Sequence, residues 1–223
     1  MGSSDELFAA IEAGDIDAVR SLIAADVTVA TACDPEGISA LMRARYRSDA
    51  DVTGAILAAV PALDVFEAAA FGDIDRLAAL LEADASRAMA FSADGFSPLH
   101  LAAFFGKPEA AELLLSRDAE VDAHGHGWMT GTALHSAASA NHTHVAMVLL
   151  DAGADPNARQ SGDWTPLHAA AMNGNVALVE MLLAHGADPA AQNDDGATAL
   201  ALAEGKGDAD AVARIRQALD GSR

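Results

Sequence analysis

The sequence predicts an all-α array of stacked helix–turn–helix units, and three observations carry that prediction. Hydrophobic residues make up 52% of the 223 residues but aromatics only 4%. The apolar content is therefore mostly Ala and Leu, which suits close helix packing better than strands. A histidine motif recurs, as SPLH ending at His100, TALH at His135 and TPLH at His168, spaced 35 and then 33 residues apart. A period near 33 residues belongs to stacked repeats. Between successive motifs, apolar residues recur at helical spacing and turn-forming residues interrupt them, so each period reads as two short helices and a turn.

The unit at 159–191 shows the pattern most fully. Thr165 caps the first helix, Pro166 fits a first turn that needs no N–H, and Ala169 to Ala171 are small enough for a neighbour to approach closely. Gly174 ends that helix. Val176, Val179, Leu182 and Leu183 form the apolar stripe of a second helix, which Gly186 terminates. The turn-forming stretch ADPAAQNDDGAT then leads into the next unit.

Extended in both directions, the period divides residues 1–223 into seven units of one domain: 4–34, 35–63, 64–93, 94–123, 124–158, 159–191 and 192–223. The first opens on SSDELF, a Ser or Asp helix start, and the last loses its histidine and places Glu204 where an alanine should pack. Both read as polar caps of a complete array. The second unit departs furthest: Met42 replaces the histidine, Arg45 an alanine, and Gly54 lies inside the second helix. Its exit, AAVPALDVF, has no room for a projecting loop, so a gap is expected there with Pro61 setting the turn.

The stretch DWTPLHAAAMNGNVALVEMLLAHGADP, residues 163–189, resembles the ankyrin repeat over most of its length, and the match is most specific across residues 94–190. The resemblance, to a small bacterial-type ankyrin-repeat protein, implies an L-shaped unit of two helices and a projecting β-hairpin finger. It implies a solenoid whose concave face is lined by fingers and first helices, and a protein-binding module without catalysis.

Charge and composition narrow the partners. With 13 Lys and Arg against 33 Asp and Glu, the net charge is −20, which repels phosphate backbones and anionic lipid headgroups. Nucleic acid and membrane are therefore not expected partners; a protein is. Cys33 is the sole cysteine, so intrachain disulfides and cysteine-based zinc sites are excluded, in keeping with a cytoplasmic location. The N-terminal stretch lacks the pattern of a signal peptide, and no window offers about 18 uninterrupted apolar residues.

His100, His135 and His168 fall at the third position of their helices, within reach of Ser97, Thr132 and Thr165, so a structural, cap-like role is expected. His124 and His126 precede the fifth unit's first helix and His142 and His144 follow it. That helix separates the pairs by about 12 Å, so no shared metal site and no cofactor are expected. Partner-binding residues should be those the repeat does not need: Arg43, Tyr46 and Arg47; Glu67 and Phe71; Leu101, Phe104 and Phe105; Ser136, Ser139 and Ala140; Ala169, Met172 and Asn173; and Trp128, Met129 and Trp164 from the fingers. Aromatic residues, favoured interface anchors, are concentrated in this set. At least one of the clustered arginines is expected to pair with Asp49 or Asp51. A monomeric protein-binding module is the reading; the alternative is an unusual enzyme or small-molecule binder with an aromatic-lined groove, using Glu67, Tyr46, His124 or His126 as acid or base.

Overall fold

The computed structural model describes residues 2–127, 130–207 and 209–221. Among them, fourteen α-helices follow one another in seven antiparallel pairs: α1 (Ser3–Ala13) and α2 (Ile16–Ala25), α3 (Ala40–Tyr46) and α4 (Ala50–Leu57), α5 (Val65–Phe71) and α6 (Ile74–Ala83), α7 (Pro98–Phe104) and α8 (Pro108–Leu115), α9 (Ala133–Ser139) and α10 (Thr143–Asp151), α11 (Pro166–Asn173) and α12 (Val176–Ala184), α13 (Ala199–Lys206) and α14 (Ala209–Gly221). The architecture is all-α. No described helix is long and apolar enough to cross a membrane.

Side-chain chemistry sets the helix boundaries. Asp15, Asp49, Asp73 and Asn175 each accept the N–H three residues ahead at the start of α2, α4, α6 and α12, satisfying a donor that the helix leaves open. Several of the acidic residues behind the −20 charge are thus caps. Where the two helices of a pair meet, the chain turns through a left-handed residue, glycine at Gly14, Gly72, Gly106 and Gly174 but serine at Ser48 (φ 57°) and asparagine at Asn141 (φ 66°).

The chain divides into two compact units, Met1–Glu67 with Ser92–Asp94, and Ala68–Phe91 with Gly95–Arg223. In the first unit, α1 packs on α2 and α3, and α4 on α2 and α3. Its core is built from Leu7, Ile11, Val19, Leu41, Val52 and Ile56, each at most 1% exposed. In the second unit α7, α9, α11 and α13 form one layer, while α6, α8, α10, α12 and α14 form another, each helix touching its neighbours. Alanines at the contacts, such as Ala102, Ala103, Ala137, Ala138, Ala170 and Ala171, are buried, and their size lets backbones approach.

A second, longer period emerges from the element boundaries. α2, the 3-10 turn Val27–Thr31, α3 and α4 recur as α6, the 3-10 turn Ala85–Met89, α7 and α8, each displaced by 58 residues without insertion. The caps recur in register: Asp15 with Asp73, Asp26 with Asp84, Ser39 with Ser97. In the sequence this survives as GDID at 14–17 and again at 72–75.

The fingers are slighter than a β-hairpin. Among the described residues their pairing consists of single antiparallel bridges, Cys33 with Ser39, Gln160 with Trp164 and Gln192 with Thr198. Residues 58–64, between α4 and α5, form no helix and no bridge. In the second unit neighbouring fingers join through the backbone: the His126 N–H donates to Gly95 O (2.9 Å) and the Asp194 N–H to Gly162 O (2.9 Å). Between them the Ser161 N–H donates to Thr130 Oγ1 (2.8 Å).

Candidate functional site

The recurring imidazoles occupy the joints of the second unit. Each is at most 1% exposed. His100 Nδ1 accepts the Ser97 N–H (3.3 Å), His135 Nδ1 the Thr132 N–H (3.1 Å) and His168 Nδ1 the Thr165 N–H (3.1 Å). The other nitrogen reaches the next repeat, Nε2 of His100 to Gly131 O (3.0 Å), of His135 to Trp164 O (3.0 Å) and of His168 to Ala197 O (3.1 Å). A backbone N–H can only donate and a carbonyl can only accept, so each ring is the neutral tautomer with its proton on Nε2. Burial depresses all three basicities, that of His135 to about 4. These rings have no lone pair left for chemistry.

Met42 and Glu67 stand at the corresponding helix position in the first unit, and a different bond fills the joint. Glu67 and Asp64 form a reciprocal cap: the Glu67 N–H donates to Asp64 Oδ1 (2.8 Å) and the Asp64 N–H to Glu67 Oε2 (3.1 Å). The remaining carboxylate oxygen, Oε1, accepts the Ser39 hydroxyl (2.7 Å), the cap of the preceding repeat. Glu67 is 6% exposed, and burial raises its pKa despite these bonds. The one buried carboxyl on the candidate surface is thus spent on a helix start.

The remaining candidates of the first unit are held by ion pairs and hydrogen bonds. Arg43 pairs with Asp34 and, at 2.9 Å, with Glu36; Arg47 reaches Glu12 at 2.7 Å. These partners come from the preceding finger and from α1. The ion pairs of these two arginines are thus with Asp34, Glu36 and Glu12, while the Asp49 carboxylate caps α4. Burial works against ionising Asp34, but the Ile38 N–H and Arg43 outweigh it and hold the carboxyl below its usual range. The Tyr46 hydroxyl donates to Asp94 (2.7 Å), and burial with that contact pushes its pKa far up. No spacing in the sequence links Tyr46 to Asp94, 48 residues away; only the fold supplies the pair.

In the second unit, Leu101, Ser136 and Ala169 line up at equivalent positions of α7, α9 and α11 and are 1%, 1% and 4% exposed, so they pack between helices. The Ser136 hydroxyl has no hydrogen-bond partner among the described residues. The surface lies one step further along each helix. Phe71, Phe104 and Phe105 are half-exposed, Phe104 meeting Phe105 edge to face at 5.1 Å, and Met172 is 48% exposed. Ser139 is exposed and Ala140 half-exposed. Asn173 donates to the carbonyls of Ala138 (3.0 Å) and Ser139 (3.1 Å), stitching α11 to α9. Trp164 is half-exposed, its ring 5.7 Å from that of His168. Trp128 and Met129 lie outside the described residues.

The other histidines stay apart. His124 Nδ1 donates to Thr130 O (2.7 Å), and the His126 ring lies on Phe91 with centroids 4.1 Å apart. His142 and His144 border an open, polar depression of about 540 Å³ with Gly106, Glu109 and Asn141. No group of three or more His, Cys, Asp or Glu among the described residues is arranged to hold a metal.

Comparison with known proteins gives this repeat its name. A family model for Ankyrin repeats (many copies) matches residues 65–115 and 134–183, and one for Ankyrin repeats (3 copies) matches residues 159–218. Two curated relatives are similar over shorter stretches. A probable E3 ubiquitin-protein ligase of Oryza sativa subsp. japonica is 40% identical over 95 residues, 41% of this chain and 20% of the relative. The human ankyrin repeat and SOCS box protein 3 is 38% identical over 65 residues, 29% of this chain and 12% of the relative. This chain therefore spans about a fifth and about an eighth of those two proteins. The matched stretches hold the capped helix pairs and the buried imidazoles of α7, α9 and α11 described above, and the chain belongs to the ankyrin-repeat family.

Proposed function

We propose that this chain binds another protein through the first-helix layer of its second unit, α7, α9 and α11, and the finger row that leads into those helices. One observation carries the reading. Met172 is 48% exposed, and Phe104 and Phe105 are half-buried with part of each ring accessible, at the ends of helices whose inner faces carry the buried Leu101, Ala102, Ala103, Ala170 and Ala171. Large apolar side chains that a scaffold does not need for its own core are the usual anchors of an interface. In both curated relatives, one of them named as an ankyrin repeat protein, the stretch similar to this chain lies within a much longer protein, in keeping with a recognition role.

The reading involves no catalytic step, since Glu67 and the buried histidines are engaged in helix starts. It places the chain in the cytoplasm as a monomer, and the charge of −20 argues for a protein rather than a nucleic acid as partner.

Affinity capture by the wild-type chain and by a triple variant, Phe104→Ser, Phe105→Ser and Met172→Ser, tests it. A protein retained by the wild type and lost by the variant is the expected result, with circular dichroism and melting of the two alike. Equal retention by both would defeat the proposal. Pairing the capture with sedimentation checks the monomer, and activity towards nucleic acid is read from gel shift.

A further inference from the structure

The three first helices of the second unit differ from their surroundings in charge. Residues 98–106, 133–141 and 166–174, which hold α7, α9 and α11 and their exits, contain no Asp, Glu, Lys or Arg. Over residues 95–207 as a whole, Asp and Glu number thirteen against four Lys and Arg. An uncharged stripe thus crosses a strongly acidic unit. The acidic residues beside this stripe lie in the fingers that lead into α11 and into the following helix, α13. Asp163 lies two residues before the Thr165 cap, and Asp194 and Asp195 lie in the finger before Thr198.

All three aspartates are exposed. Arg159 meets Asp163 at 3.2 Å and also donates to Gln192 O (3.1 Å), whereas Asp194 and Asp195 form no ion pair among the described residues. The Asp194 N–H bonds Gly162 O, so the two acidic finger tips are neighbours. Phe104, Phe105 and Met172 sit at the opposite, C-terminal, ends of the helices. A helix of eight residues such as α11 separates the two ends by about 12 Å at 1.5 Å per residue.

Resting on the binding reading above, we infer that the partner presents a basic segment: apolar side chains that seat separately at Phe104 and Phe105 on α7 and at Met172 on α11, with α9 between them, and Lys or Arg that reaches Asp163, Asp194 and Asp195. An acidic segment would meet like charge at the finger tips and none of opposite sign on the stripe. Attraction by the unit's net charge speeds encounter with a basic partner and is screened by salt.

Selection of a phage-displayed random 16-residue peptide library on the full chain at low salt tests the inference. Enriched peptides should combine aromatic or large aliphatic residues with Lys or Arg. Their affinity should fall at least tenfold in Asp163→Asn, Asp194→Asn, Asp195→Asn, and also on raising NaCl from 50 to 500 mM. Peptides that bind through Phe104 and Met172 but are neutral or acidic, and are indifferent to the three aspartate changes, would overturn the charge inference and leave the binding reading intact. No enrichment, or enrichment unaffected by Phe104→Ser and Met172→Ser, would overturn both.

Discussion

At Gly95 two fingers run too close for any side chain. Its φ is +87°, and a methyl group placed there would lie 2.0 Å from the carbonyl oxygen of His126, whose N–H is in turn bonded to Gly95 O. Gly153 offers the contrast, with φ +91° and nothing within 4 Å of the same hypothetical methyl. Both glycines are needed for a left-handed backbone, which costs an L-residue about 1–2 kcal/mol, but only Gly95 also serves a backbone contact. Gly95→Ala is therefore expected to lose at least about 2 kcal/mol more than Gly153→Ala, because finger-to-finger hydrogen bonding must break to make room. Urea unfolding of the two variants, followed by tryptophan fluorescence, reads the difference; equal losses would mean that the fingers part without cost.

At the scale of the element, much was legible because caps and glycines are local signals. Thr165 and Pro166 start a helix and Gly174 stops one whichever repeat surrounds them, and the structure has α11 between them. The weakness of α4 was equally visible: Gly54 lies within Ala50–Leu57, is exposed, and has no atom within 4 Å of where a methyl would stand. Gly54→Ala should stabilise the chain by about 1 kcal/mol through helix propensity alone, seen as a rise in the thermal midpoint without change in the circular dichroism spectrum. A fall would show that α4 needs the freedom of glycine. What stayed hidden depended on contacts between repeats. The sequence offered Asp49 and Asp51 as nearby partners for the arginine cluster, whereas the ion pairs of Arg43 and Arg47 reach back to Asp34, Glu36 and Glu12. Leu101 and Ser136 read as surface positions beside packing alanines but are buried, since helical spacing identifies a face without saying how much of it the neighbour covers. The 58-residue duplication escaped notice for a related reason: the histidine that marks the shorter period is Met42 in the first copy.

At the scale of the whole stack, the buried histidines couple stability to pH, and the sign follows from which state binds the proton. In the folded chain Nδ1 of His100, His135 and His168 faces a backbone N–H, and burial holds the rings neutral below their ordinary pKa of 6.5. Unfolded, the same rings titrate near 6.5. Between that value and the folded one, the unfolded state carries more protons, so stability rises with pH across the interval and falls as pH is lowered through it. For His135, with a folded value of about 4, the complete loss is about 3 kcal/mol at 1.36 kcal/mol per pKa unit. The decline begins near pH 6.5 and is complete near pH 4. Above pH 7 these rings contribute no further change. Both tryptophans, Trp128 and Trp164, belong to the second unit, so fluorescence-monitored urea unfolding reports on the segment these rings join. The midpoint should drop steadily from pH 7 to pH 5 in the wild type. His135→Gln should lower stability at pH 7, since it removes the bond to Trp164 O, and should flatten that slope. A wild-type midpoint that is constant over this range would mean that the imidazoles are not held neutral. A variant as steep as the wild type would mean that His135 is not among the groups responsible. Either result would detach the pH response from the repeat-to-repeat joints assigned to it here.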